Sequence, residues 1–597
     1  MQEVQEYAAV PCGHPRRASG FSFSLLVAAF STAIFFLAFD MLADRHYYSD
    51  IDDVLRGVQI RQLLAHGEWF NLVIEGIDMP GTYQSPWSRL VDLPYVLLVL
   101  GLRGITTEES AIWWAFRIWQ PLLLLAYCCL WCATAVRLVD KENHVQPVHV
   151  VAAFALMPLT LWEFSPGRID HHNLQIVMLM VALFGISRWS AAGGFLVGMV
   201  CGLSFMIGLE LAPVLLILLL GPGLAWVFGV EGSHRVQAFL AAGLALTTML
   251  AGISFGGSAL MVATECDAFS APFVSAFLGY AAITSVVLWS VRSERPVVRL
   301  GALAVPAVGL AVALALAFPD CLQGPYHAID PLVRHFWLDR VQQEKSFLEI
   351  YRMGDTIKIL CLGFLVIVLF GAFPGFMRHL RARNAAFVII FCIAVTLLIL
   401  AFVQTRFIRF PAAGALLFLP MIWSELRYGI RSTARAVLFG ALATLATGTF
   451  FLMLVPKHSL RPELLDYLAF DLCMDVDTSP LHTLPAGRIV APSSLGLFML
   501  DRLPPGMTVN AISFHRAAAG MRRMYDVFVS TDSETRRVAA EPFDYLAVCR
   551  YPMVPEIPND TLFAVLTRGG DWPGLVPVSD SATSALRLFK IDHARLQ

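Results

Sequence analysis

Apolar runs of roughly 20 residues, the length that crosses a hydrocarbon core of about 30 Å, recur along most of the chain. Short polar connections separate them. They predict membrane helices near 21–43, 111–136, 147–162, 173–187, 191–208, 210–230, 236–256, 272–291, 299–318, 355–374, 385–403, 410–425 and 433–455, thirteen in all. The weakest boundary is the break near Gly208-Leu209-Glu210, where two runs almost fuse. Past residue 456 the pattern changes. Short β-like runs appear at Arg488-Ile-Val-Ala, Thr508-Val-Asn-Ala-Ile, Tyr525-Asp-Val-Phe-Val and Tyr545-Leu-Ala-Val, with Gly/Pro turns and helix-like stretches between them. Such alternation predicts a small α/β domain. The expected fold is a polytopic α-helical membrane domain over 1–455, with outer loops 44–110 and 319–354, followed by an α/β domain over 456–597.

Composition strengthens the membrane reading. Of 597 residues, 57% are hydrophobic and 15% charged, and mean hydropathy is +0.66; a water-soluble chain of this length carries more charge. Net charge is −2, so no bulk attraction to nucleic acid is expected. The first apolar run follows Arg16 and Arg17 and has no convincing small-residue cleavage site, which predicts a retained helix rather than a signal peptide. With the N-terminus inside, each inner connection holds Lys or Arg: Arg137 and Lys141, Arg188, Arg235, Arg292 to Arg299, Arg378 to Arg383, and Arg427 to Arg435. This bias orients membrane proteins. It predicts a cytoplasmic N-terminus, a multi-pass protein of the cell inner membrane, and a periplasmic C-terminal domain. Most cysteines lie in the spans. Cys266 and Cys321 fall in adjacent outer loops, and Cys473 and Cys549 in the C-terminal region. In an oxidising compartment the expected disulfides are Cys266–Cys321 and Cys473–Cys549.

The chemistry-bearing residues gather on the outer side. Asp50, Asp52 and Asp53 follow the first span; Arg168, Asp170, His171 and His172 open the fourth; Glu344 lies in loop 319–354; Arg406 and Arg409 sit between the eleventh and twelfth spans. Read as locally extended, 170–172 sends Asp170 and His172 to one side and His171 to the other. A carboxylate and an imidazole on one side can hold a divalent ion, while a polar cap at the water interface explains the same residues without one. Oxygen ligands with one imidazole suit Mn²⁺ or Mg²⁺. Such an ion, with an arginine, would neutralise a phosphate leaving group. Trp87 and Arg89 belong to a polar-aromatic stretch, Tyr83 to Asp92, that suits either an acceptor cleft or an interfacial anchor. His515 is a candidate to face the site from the C-terminal domain. Glu210 interrupts an apolar stretch as a functional acid or an interface residue, and both readings stay open.

These motifs resemble the catalytic subunit of oligosaccharyltransferases, in the GT-C class of glycosyltransferases. Gly167-Arg168-Ile169-Asp170-His171-His172 fits the Gly-x-x-Asp-His-His motif of archaeal members. Asp52, with Arg56, Arg61 and His66-Gly67 after it, fits the first-aspartate motif. The resemblance implies that Asp52, Asp170 and His172 hold the metal, with His171 and Arg168 supporting them. It implies that Asp52 and Glu344 serve the acceptor and the ion, and that Arg406, or else Arg409, meets the phosphates of a lipid-linked sugar donor. It also implies transfer of a sugar from a polyprenyl-phosphate or polyprenyl-diphosphate carrier, with inversion. The family's acceptor-reading Trp-Trp-Asp-Tyr-Gly block is missing: Val490-Ala491-Pro492-Ser493-Ser494-Leu495-Gly496 keeps only the glycine. The acceptor is therefore left as a glycan, a lipid or a protein. The rival readings are a lipid or glycan transporter, which would place paired charges near mid-membrane, and a scaffold that kept the fold without the chemistry.

Overall fold

The computed structural model describes residues 22–42, 51–139, 144–326, 329–429, 476–550, 557–579 and 584–596. Six helices among them are long and apolar enough to cross a membrane: Glu108–Leu138, Ser233–Val262, Ala271–Ser290, Pro296–Ala317, Thr356–Arg381 and Ala385–Val403. A seventh candidate is the pair Pro147–Ala155 and Pro158–Phe164, bent by 78°. Pro158 lacks an N–H to continue the first helix, so the chain turns there. Shorter apolar helices, Phe23–Phe39, His172–Ser187, Ala191–Ile207, Ala212–Val227 and Pro411–Ser424, occupy the other expected positions. The expected span at 433–455 lies outside the described residues. The chain is a multi-pass membrane protein.

The helices are held together by close approach, because lipid is as apolar as a leucine side chain and burying apolar surface gains little there. Ala191–Ile207 carries Gly194 and Gly198 on one face. A Cβ at Gly194 would lie 2.2 Å from the carbonyl oxygen of Val236, and one at Gly198 would lie 2.0 Å from that of Leu240. At the other extreme, no residue of Pro296–Ala317 is buried, as suits a helix that faces lipid.

The water-facing unit is built differently. A seven-stranded sheet runs in the order β2-β1-β4-β3-β5-β7-β6. Its strands are β1 (Val73–Met79), β2 (Gly81–Gln84), β3 (Arg488–Val490), β4 (Thr508–Val509), β5 (Tyr545–Cys549), β6 (Leu575–Ser579) and β7 (Leu586–Ile591). Strands β1, β4, β3 and β5 are parallel, while β2, β6 and β7 pair antiparallel at the two ends. Strands β1 and β2 come from the stretch before the helix Glu108–Leu138. Ile329, Val333, Trp337 and Leu338, from the stretch between Pro296–Ala317 and Thr356–Arg381, share one apolar core with the sheet. The unit therefore draws on three stretches of chain. One expected strand is a helix: Tyr525 to Phe528 close the helix Ala518–Phe528, whose Met521, Met524, Tyr525 and Phe528 are buried at helical spacing.

A disulfide between two inter-helix segments and an ion-pair cluster lie where this unit meets the helices. Cys266 and Cys321 form a disulfide; the Cys473–Cys549 pairing involves Cys473, which lies outside the described residues. Beside the bridge, Asp267 Oδ2 is 2.6 Å from His515 Nε2 and accepts from Arg516 Nε at 2.7 Å, and Glu265 accepts from Arg516 Nη2 at 3.0 Å. Burial opposes ionisation of Asp267, but His515 and Arg516 outweigh it and hold the carboxyl well below the usual carboxylate range. A depressed carboxyl stabilises the fold above its unfolded value of about 4, and that contribution is lost as pH falls further. Protection against hydrogen exchange at residues 515–528, taken relative to the intrinsic amide rate at each pH, is accordingly expected to fall on acidification from pH 6 to pH 3, and in Asp267→Asn to be low already at pH 6. The protection of that variant should also change less with pH.

Candidate functional site

The Asp-His-His turn is shaped by its neighbours. Gly167 has φ of +93°, a left-handed conformation strained for other residues. Its N–H donates to the Phe116 carbonyl at 3.0 Å. Three residues on, the Asp170 N–H donates to Asp53 Oδ1 at 2.8 Å, so the first turn of Ile51–His66 carries the segment. His171 then adopts φ −78° and ψ −14°, and the helix His172–Ser187 begins. The extended geometry expected for 170–172 is thus absent, because these residues already make the helix entry. His171 does not turn away: one ligand atom from each of Asp170, His171 and His172 lies within 4.8 Å of the others. His171 Nδ1 is 2.5 Å from Asp170 Oδ1, and His172 Nε2 is 3.2 Å from Asp170 Oδ2. Burial works against ionising Asp170, yet His171 and His172 outweigh it and hold the carboxyl well below its usual range. Burial also disfavours charge on His171, but Asp170 and Glu210 push its imidazole up to about 10.

A second carboxylate faces the turn from the break between Ala191–Ile207 and Ala212–Val227. Glu210 Oε1 is 3.5 Å from His171 Nε2, and Glu210 Oε2 accepts from Gln175 Nε2 at 2.7 Å. Gln175 Oε1 is 3.0 Å from His172 Nδ1. Beyond Glu210, Arg406 Nη2 pairs with Glu344 at 2.9 Å, and Gln404 also donates to that carboxylate. Arg406 reaches the Tyr326 hydroxyl at 3.4 Å. Arg406 and Glu344, expected to act on the donor and on the ion, therefore hold each other in this structure.

Behind the turn runs a buried chain of alternating charges. Arg168 Nη1 pairs with Asp53 at 3.0 Å and Arg168 Nη2 with Glu163 at 2.9 Å, while Arg409 Nη1 lies 3.2 Å from Glu163. Arg409 thus faces inward. Asp52, expected as the carboxylate shared with Asp170, is half-buried and outside the group of three ligand atoms; it is Asp53 that touches the Asp170 segment. Asp50 lies outside the described residues.

The stretch from Tyr83 to Asp92 is packed interior rather than an open cleft. Arg56, Gln59 and Arg89 donate to Asp92 at 2.9, 2.6 and 3.0 Å. Trp87 is buried between the Arg56 guanidinium, 4.5 Å from its ring centroid, and His171, 6.0 Å away. Arg89 also donates to the Trp69 and Asn71 carbonyls. His515 is engaged by Asp267. The open space lies elsewhere: a cavity of about 620 Å³, lined by Arg61, Glu109, Trp113, Trp114, Arg168 and Asp501 among others, adjoins the Asp53–Arg168 pair. The sequence reading passed over Glu163 and Gln175. The available signals were an acid at the end of an apolar run and an amide three positions after His172, on the same helix face.

Replacing Arg168 by an apolar side chain removes the guanidinium from buried Asp53 and leaves Glu163 with Arg409 alone. Uncompensated buried charge costs about 3–5 kcal/mol. Arg168→Met is expected to lower the unfolding midpoint in detergent more than Arg61→Met, whose exposed pairs with Glu109 and Asp501 are worth about 1 kcal/mol or less.

No protein-family model matches the chain, and no curated protein matches it. Solved structures do. The oligosaccharyltransferase AglB of Archaeoglobus fulgidus, in complex with an inhibitory peptide and a dolichol-phosphate, superposes with a TM-score of 0.63 at 13% identity, over 88% of this chain and 69% of that one. The A. fulgidus oligosaccharyltransferase tethered to an acceptor peptide containing the NVT sequon gives 0.60 at 14% identity, over 95% and 74%. Its complex with Zn and sulfate gives 0.58 at 12% identity, over 88% and 68%. The chain has the oligosaccharyltransferase-like GT-C fold.

Proposed function

We propose that the chain is a glycosyltransferase of the inner membrane. It moves a sugar or oligosaccharide from a polyprenyl-phosphate or polyprenyl-diphosphate carrier to a hydroxyl acceptor on the periplasmic side. The observation that carries this reading is the meeting, within an oligosaccharyltransferase-like fold, of a buried Asp170–His171–His172 cluster with Glu210, and of Arg406 beyond it. The archaeal structures of this fold hold a dolichol-phosphate in one case and Zn and sulfate in another. A lipid-linked phosphate and a divalent ion are the two ligands that this reading calls for.

The donor set fits a metal. Asp170 Oδ2 and His171 Nδ1 are buried without a hydrogen bond of acceptable geometry. Asp170 and His172 would hold the ion, with Asp52 as a further carboxylate; Mn²⁺ or Mg²⁺ suits this oxygen-rich set. The ion would supply positive charge to the leaving phosphate. Arg406 donates to a second phosphate oxygen. A phosphate reaching Arg406 competes with Glu344, and the displaced Glu344 carboxylate becomes a proton acceptor. The acceptor hydroxyl attacks the anomeric carbon on the face opposite the phosphate. The new carbon–oxygen bond forms as the bond to phosphate oxygen breaks, the hydroxyl proton passes to Glu344 or Asp52, and the configuration inverts.

The acceptor is read as a glycolipid or polysaccharide rather than a protein sequon. Where the family's acceptor-reading block would stand, Ser493–Leu500 is a buried helix, and Ser493 and Ser494 share hydrogen bonds with Ser513 at 2.7 and 3.0 Å. The cavity beside Arg168, with half-exposed Trp113 and Trp114, gives such an acceptor room. Asp170→Asn and His172→Ala are each expected to reduce sugar transfer by about 10²-fold or more and to let the lipid-linked donor accumulate. Comparative glycan and lipid profiling of strains carrying these variants reads both effects. Unchanged profiles, with normally inserted protein, would remove the proposed site.

A further inference from the structure

The hydrogen bonds around Gln175 assign a tautomer to His172. Glu210 faces His171 Nε2 at 3.5 Å, and as a carboxylate it only accepts. The Gln175 group 2.7 Å from Glu210 Oε2 is therefore its NH₂, whichever way the amide is first drawn. The Gln175 oxygen must then face His172 Nδ1, 3.0 Å away. A carbonyl oxygen also only accepts, so Nδ1 carries the proton. His172 Nε2 is left with its lone pair, 3.2 Å from Asp170 Oδ2, and that oxygen has no hydrogen bond of acceptable geometry. A lone pair and a carboxylate oxygen facing one another call for a cation between them.

Space for this chain comes from Gly208. A Cβ there would lie 2.4 Å from Glu210 Oε2, 2.8 Å from Gln175 Nε2 and 3.3 Å from His171 Nε2. Since Gly208 has φ of 175°, ordinary extended backbone, a side chain there would act through space, by displacing the Glu210 carboxylate and the Gln175 amide. His172 and Gln175 sit three apart on one helix face, while Glu210 arrives from the break between two other helices. Sequence-distant residues thus converge on the far side of one imidazole.

We propose that Glu210 and Gln175, in the space left by Gly208, are positioning residues for metal binding: they lock His172 with Nδ1 protonated and Nε2 turned to the ion held by Asp170. This rests on the metal-binding reading given above. Partners on the far nitrogen of a ligating histidine fix its ring and raise its basicity, and their loss typically costs 10–100-fold in affinity.

The test uses the purified full chain in detergent and Mn²⁺ alone. Affinity is read from the EPR signal of free aqueous Mn²⁺, and the ligating imidazole from electron spin-echo modulation by its nitrogens. Gln175→Leu and Gly208→Ala are expected to weaken Mn²⁺ binding about 10–100-fold and to alter the nitrogen modulation. Gln175→Glu alone sets two carboxylates against each other, and Glu210→Gln alone lets the amide turn over; both should weaken binding similarly. The double variant Gln175→Glu/Glu210→Gln exchanges donor and acceptor but keeps an acceptor on Nδ1. It is expected to return to within about threefold of the wild-type affinity. A role in folding alone would not produce that rescue. Wild-type affinity and modulation in Gln175→Leu, or a double variant no tighter than the singles, would overturn the inference. Wild-type protein that binds no Mn²⁺, or binds it equally well after Asp170→Asn, would overturn the metal reading itself.

Discussion

The site depends on buried charge. Asp53, Arg168, Glu163 and Arg409 alternate in sign through the interior, and they come from three separate stretches of the chain, Glu163 and Arg168 from the same one. Taking such groups out of water costs several kcal/mol per ion, and only close partners offset it. The network therefore holds its elements in one arrangement: the helix Ile51–His66, the bent span, the Asp-His-His turn and the segment after Ala385–Val403. The turn is the beneficiary. Asp53 uses one carboxylate oxygen for Arg168 and the other for the Asp170 N–H, so the geometry of the cluster is inherited from the ion chain.

Two kinds of cohesion meet at this level. Below it, helices approach closely through glycines, because apolar burial gains little in lipid. Above it, a water-facing unit gathers the stretch before Glu108–Leu138, that between Pro296–Ala317 and Thr356–Arg381, and the C-terminal region round one apolar core, where burying a Val or Leu side chain is worth roughly 1.5–3 kcal/mol. Groups at the junction can be anchored from both sides while a substrate reaches them from lipid or from water. Trp87 shows the bracing from above, wedged between Arg56, Phe514 and His171.

Much of the architecture could be read from residues alone. Twelve of the expected spans coincide with apolar helices or the bent pair, because hydrophobic length is a strong signal. Asp170 and His172 stood out because an acid and imidazoles at the mouth of an apolar run are costly. The sheet was harder. Strands β3 and β4 are three and two residues long, too short for alternation to register, and β1 and β2 lie more than 400 positions from β4 along the chain. Glu163, Gln175 and the role of Glu210 depend on partners from other helices, which no local pattern reveals. Asp52 was favoured over Asp53 by spacing to a motif, while burial placed Asp53 against the turn.

The central claim is that the Asp170–His172 cluster and Arg406 serve one phosphate. ³¹P electron–nuclear double resonance on Mn²⁺-loaded protein with an added undecaprenyl-phosphate sugar tests it most directly. The account predicts a phosphorus coupling in the wild type, from phosphate in or next to the coordination sphere, and its loss in Arg406→Ala with Mn²⁺ still bound. Bound Mn²⁺ with no phosphorus coupling at saturating donor would contradict it.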